Sequence, residues 1–254
     1  KFPFEQWSGD KGYLKAGLFS DKVDRTFNQD SFTNGDTTAS DPGDFFDLWS
    51  RRWPNQNHPI NASDFDVDYT AEQKIFATYL MADLPLVKEV KLIGGARFEM
   101  TDVSVVNQPE PSAFYYPPVT NPAITQLTPG AADAAFERND LLPSLAVEYK
   151  PWEEVTARAS YNGTIARQTF KELTPIIQQE FLGGPIFIGN PGLRTSEVDN
   201  YDLRVDYAPY QGALISASYF KKNIKDAIEY VQKVGDFTYT APVNYPEGEI
   251  NGFE

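Results

Sequence analysis

V-T-A-R-A-S-Y-N-G-T-I-A-R-Q-T-F-K-E-L, residues Val155 to Leu173, is the stretch on which the fold turns. In its first half Val155, Ala157, Ala159, Tyr161, Gly163 and Ile165 share one parity, and Thr156, Arg158, Ser160, Asn162 and Thr164 the other. Successive side chains of a strand point to opposite faces, so one face is uncharged and mostly apolar while the other carries hydroxyls, an amide and a guanidinium. A soluble sandwich needs such an apolar face for its core, whereas a membrane barrel turns it to lipid and the polar face to a wet lumen. The stretch alone leaves both open.

Composition narrows the class. The chain has 254 residues, a formal net charge of -14 and a pI near 4.5, which argues against nucleic acid as a partner because phosphate binding needs clustered Lys and Arg. Cysteine is absent and His58 is the only histidine, so thiolate chemistry, Ser-His-Asp triads away from His58 and His-rich zinc sites are excluded. Aromatics at 14%, with 19 Pro and 17 Gly, fit many strands joined by turns and loops, an all-β chain. No apolar run is long enough for a transmembrane helix, and the residues after Lys1 lack the basic and apolar segments of a signal peptide. Hydropathy is silent on a barrel.

Alternation recurs along the chain. Gly12 to Ser20 reads as a strand continuing toward Phe27. Asp68 to Leu84 reads as a second, stopping at Pro85, with Tyr69, Ile75, Ala77, Tyr79 and Met81 as its apolar parity. Val90 to Val106, Leu142 to Lys150, the opening stretch, Asn200 to Ala208 and Ala213 to Tyr230 follow, and Ile250 to Glu254 reads as a strand beginning. About eight strands are expected. Between them lie long aperiodic stretches at about 28–67, 107–139, 172–196 and 231–249, and short turns led by Pro85, Pro151 and Pro209. Short and long connections alternate strictly, which puts all short turns at one end of an up-and-down antiparallel sheet. Outer-membrane barrels have this asymmetry, with short periplasmic turns and long extracellular loops.

Candidate site residues divide by location. The loop residues best able to grip a ligand are Trp49, Arg51, Arg52 and Trp53, with Tyr115 and Tyr116 in the second loop. Arg97, Glu99, Arg158, Asn162 and Arg204 occupy polar parities and would face the lumen of a barrel, either meeting what passes or pairing across strands. Tyr79, Tyr149, Tyr161, Tyr201, Tyr207 and Tyr219 read as lipid-facing or interfacial rings. Asp41, Asp44, Asp47, Asp64, Asp66 and Asp68 are the right ligand type for calcium but lack EF-hand spacing, so they read as solvated loop charge. No metal or cofactor site and no catalytic constellation emerges, and G-G-A-R and G-G-P-I lack the spacing of phosphate loops.

Several motifs in order carry a family resemblance. T-I-A-R-Q-T-F-K-E-L (Thr164 to Leu173), G-N-P-G-L (Gly189 to Leu193), N-Y-D-L-R (Asn200 to Arg204), S-Y-F-K-K-N-I-K-D-A-I-E (Ser218 to Glu229) and I-G-G-A-R-F-E (Ile93 to Glu99) resemble the barrel domain of TonB-dependent outer-membrane receptors. The resemblance runs from about Tyr13 to Glu254, and the chain has Gln168 where that family commonly has Pro. It implies a 22-stranded barrel around an N-terminal plug in a Gram-negative outer membrane. The implied function is import, not enzymology, of a ligand such as a siderophore or an oligosaccharide, powered through TonB acting on the plug. With no plug, TonB box or terminal aromatic strand, this chain is expected to be a portion of such a barrel, with outer-membrane lipid as its other partner. A soluble β-rich module binding carbohydrate or polypeptide is the alternative.

Overall fold

The period-two stretch forms a continuous strand whose two faces differ as its sequence requires. In this computed structural model, which describes residues 1–6, 9, 11–30, 32–34, 60–62, 68–108, 113–117, 123–179 and 184–254, the strands are β1 (Phe2–Glu5), β2 (Lys11–Phe27), β3 (Phe32–Asn34), β4 (Ile60–Ala62), β5 (Tyr69–Val87), β6 (Val90–Asn107), β7 (Phe114–Tyr115), β8 (Thr125–Gln126), β9 (Ala134–Trp152), β10 (Val155–Ala166), β11 (Ile177–Gln179), β12 (Ile186–Ile188), β13 (Ser196–Tyr207), β14 (Ile215–Val234) and β15 (Thr238–Phe253). One short helix, α1 (Phe170–Leu173), joins them. No described helix is long and apolar enough to cross a membrane, which says nothing of strands.

The main sheet has the order β1-β2-β5-β6-β9-β10-β13-β14-β15-β12-β11. Its long strands β2, β5, β6, β9, β10, β13, β14 and β15 are antiparallel neighbours in chain order, an up-and-down meander. Because paired residues share a face, register assigns every side chain. Leu203 pairs with Ala159 and Ala159 with Val147, while Arg204 pairs with Arg158 and Arg158 with Glu148. One face near the short turns is therefore aliphatic and aromatic, and it is bare: Leu18, Leu80 and Leu141 are 76%, 62% and 68% exposed. Such a surface is stable only against an apolar phase.

Charge appears on that same face farther along the strands, and the boundary is oblique. Lys22, Lys74, Asp102 and Glu137 form one cross-strand row. Lys221, the first charge on β14, instead lies level with Leu14 through Tyr201, Tyr161, Leu145, Gly94 and Ala82. From β2 to β14 the boundary thus drops by about eight residues, roughly 26 Å along the strands, over about 29 Å across them. That inclination of about 40° matches strands tilted within a bilayer.

The structure departs from the sequence expectations in the long connections, at two prolines and at Tyr79. Residues 231–249 are no long loop: β14 runs to Val234 and β15 starts at Thr238, paired from Val234↔Thr238 to Tyr219↔Phe253. Two prolines and a glycine hide β15's alternation, and β14 supplies its register. The third loop, 172–196, contains the end of α1 together with β11 and β12, and the second is shortened because β9 starts at Ala134. Pro85 and Pro151 lie inside β5 and β9, and the turns fall at Lys88-Glu89 and Glu153-Glu154. Tyr79 is on the polar face, paired with Arg97 and lying over Gly17, because β5 is apolar on both parities and Phe76, Thr78, Leu80 and Ala82 take the bare face.

Candidate functional site

The polar face divides into an ion-paired wall and an apolar seat for the loops. On the wall, Arg158 joins Glu148 at 2.9 Å and Asp206 across the neighbouring strand, and Asp206 accepts from Arg204 at 2.8 Å and Ser216 at 2.7 Å. Asn162 accepts from the Ser144 hydroxyl at 2.6 Å. Higher up, Glu99 is nearly buried and is gripped by Arg97 and by Arg167 from the end of β10. Arg97, Glu99, Arg158, Asn162 and Arg204 therefore occupy one face, each tied to a neighbour, as cross-strand complementarity favours.

Toward the long-loop end this face turns apolar. Tyr69, Ala71, Val103, Val105 and Ala134 are buried beneath Ala113, Tyr115, Leu127, Ala132, Leu173, Ile176 and Leu193 from the two connections 108–133 and 167–195. Phe27 stacks on Tyr69 with centroids 5.3 Å apart. Tyr115 bridges to Ile176 and the Tyr116 amide donates to the Pro175 carbonyl, so the two connections fold as one cap. Tyr115, expected at a ligand, is a core residue of that cap.

Hydrogen bonds hold the second connection in place. Thr169 caps α1 in a capping box with Glu172, and the other Glu172 oxygen accepts from the Tyr230 hydroxyl at 2.6 Å. Gln168 is buried, donates to the Leu193 carbonyl at 2.6 Å and accepts from Thr195 at 3.0 Å. Its amide thus pins the outgoing and returning ends of the connection together. Asp226 takes a positive φ of 53 within β14, and Arg194 and Asn244 bind its carboxylate and carbonyl. Beyond Asp226 the β14–β15 hairpin rises past the end of β13 and leans on the cap.

At that hairpin Tyr116 is 5% exposed, donates to Asp236 at 3.1 Å and stacks on Tyr239 at 5.4 Å. Burial first, and then Asp236, hold its phenol above the usual tyrosine range. Beside it lies a cavity of about 230 Å³. Trp49, Arg51, Arg52 and Trp53 lie outside the described residues, as do Asp41, Asp44, Asp47, Asp64 and Asp66 of the acidic cluster. Asp68 is tied to Asn28 at 3.3 Å and the Gln29 amide at 3.1 Å. The described residues contain no group of three or more side chains suited to a metal.

Sequence reasoning missed Arg167, Gln168 and Glu172 as organisers of the cap. The one available signal was Thr169 followed three residues later by Glu172, a capping-box spacing.

A family model described as TonB dependent receptor-like, beta-barrel matches residues 4–254. No curated protein matches. Among solved structures, the ferric-catecholate import receptor Fiu from Escherichia coli K12 superposes with a TM-score of 0.59 at 12% identity, covering 99% of this chain and 33% of that one. FauA, the alcaligin outer-membrane receptor of Bordetella pertussis, gives 0.53 at 15% identity over 99% of this chain and 33% of its own. The hemophore receptor HasR of Serratia marcescens gives 0.56 at 11% identity, covering 96% and 39%. These likenesses are of fold, and the chain spans about a third of the length of the first two structures.

Proposed function

The chain belongs to the family of TonB-dependent receptor β-barrels, Gram-negative outer-membrane proteins that are receptors and transporters rather than enzymes, and from that membership we propose that it is the part of an active importer that builds one side of the barrel and its ligand-capturing mouth. The observation that carries this is the bare apolar band on one face of an up-and-down sheet, backed on the other face by an ion-paired wall and a folded cap. Residues 1–254 then form a portion of the barrel domain, with Arg97, Glu99, Arg158, Asn162 and Arg204 lining the lumen. The short turns at Lys88-Glu89 and Glu153-Glu154 face the periplasm, and the connections 108–133 and 167–195 face outward.

In this reading the ligand is captured at the cap and released inward when TonB acts on a plug domain held inside the barrel. Receptors of similar fold include a ferric-catecholate import receptor, an alcaligin receptor and a hemophore receptor in complex with heme, which supports an iron chelate as the ligand class; an oligosaccharide is the second class. The test is growth and uptake by the native bacterium on a panel of iron sources and glycans, with the receptor gene or the TonB gene deleted. The proposal expects one nutrient whose uptake is lost in both strains. A receptor-dependent uptake that survives loss of TonB contradicts it.

A further inference from the structure

The cavity at the hairpin has a chemistry of its own. Tyr239 and Lys233 are register partners at the tip of the β14–β15 hairpin, so their side chains leave the same face side by side. Tyr116 stacks on Tyr239 with its ring nearly parallel, at 15°, and its hydroxyl is already committed to Asp236. Pro117, Pro175, Pro191 and Ile188 supply the apolar part of the lining, beside Gly189 and Asn190. Lys233 also lines the space, and its ammonium makes no ion pair or hydrogen bond among the described residues, although the chain as a whole is strongly acidic. An unpaired ammonium beside flat aromatic and proline surfaces, in a volume of about 230 Å³, is matched by one ring with an anionic substituent.

We infer that this cavity is a subsite for a six-membered ring bearing a carboxylate, seated against Tyr239 and the prolines with its carboxylate on Lys233. A volume of about 230 Å³ suits one such ring with its substituents. The cap's own packing preforms the site: Tyr116 is fixed by the Pro175 carbonyl, by Asp236 and by Tyr239, which limits the ordering cost of binding. The inference rests on the reading of these connections as the ligand-capturing mouth.

Two sources share this chemistry, a uronic acid and an aromatic carboxylate, and the experiment separates them. Glucuronate, benzoate and glucose are each titrated against the intact receptor in detergent micelles, with binding followed by saturation-transfer NMR. The inference expects glucuronate or benzoate, whichever is the true class, to bind at least tenfold tighter than glucose. Lys233→Gln, a change at an exposed hairpin tip, removes that preference, and Tyr239→Leu weakens the carboxylate probe tenfold or more. Equal affinity for glucose, no binding of either carboxylate, or an unchanged preference in Lys233→Gln overturns the inference. Loss of these effects leaves TonB-dependent uptake untouched, whereas TonB-independent uptake refutes the transport reading and not the subsite.

Discussion

Glu172 shows how much of the cap hangs on single side chains. Its carboxylate closes the capping box on Thr169 with one oxygen and holds Tyr230 of β14 with the other. Tyr230→Phe removes the second bond while keeping the ring, and a net cost of about 1 kcal/mol to cap docking is expected. Faster hydrogen exchange at residues 170–174 in the variant checks this. Gly189 presses against the end of α1, where a Cβ would overlap the carbonyl oxygens of Thr174, Lys171 and Glu172. Gly189→Ala should displace β12 from the helix at about 1–3 kcal/mol, read as earlier proteolytic cutting within 167–195. Tyr116 gives a pH signature: its folded pKa is raised, so its stabilisation is complete below about 10 and is lost as pH climbs above that value. The phenolate absorbance lost in Tyr116→Phe should belong to a late-ionising tyrosine. None of these partnerships was legible in the sequence beyond the Thr169–Glu172 spacing, because Tyr230, Pro242 and Asn244 reach the cap from 50 residues or more away along the chain.

Strands were readable where one face alone is apolar, and misread where both or neither is. Val155 to Ile165 and Asn200 to Tyr207 alternate cleanly, and register places their apolar parities together. β5 defeated the reading because its inner parity is apolar too, Tyr69, Ala71, Ile75 and Ala77 being buried, the first two under connections that arrive later in the chain. β15 defeated it because Pro242, Pro246 and Gly248 interrupt its pattern. Face assignment makes a paired prediction. Leu203→Lys places an ammonium in the apolar band and should cost about 2–4 kcal/mol in folding from lipid vesicles. Ser160→Lys, on the opposite face beside Asp202, should cost far less. Equal costs contradict the assignment.

At the scale of the molecule, the sequence supplied the short turns at one end and three of the four long connections at the other, while the tight β14–β15 hairpin and the cap came only from strand pairing and tertiary packing. Eight long strands with a bare apolar band do not make a water-soluble body. The isolated chain should associate in plain buffer, and a monodisperse monomer by light scattering would count against the account. The most direct test places single cysteines in this chain, which has none of its own, within a receptor whose other cysteines, if any, are replaced by serine. Single cysteines at Ala157, Ala159, Leu203 and Ile215, and at Ser160 and Thr164 on the other face, are spin-labelled in the intact receptor reconstituted into bilayers. The first four should be accessible to dissolved oxygen and shielded from a water-soluble nickel chelate. The last two should not show that lipid signature. Labels at Ala157, Ala159, Leu203 and Ile215 that are shielded from both reagents, as in a dry protein core, would contradict the claim that this face meets lipid.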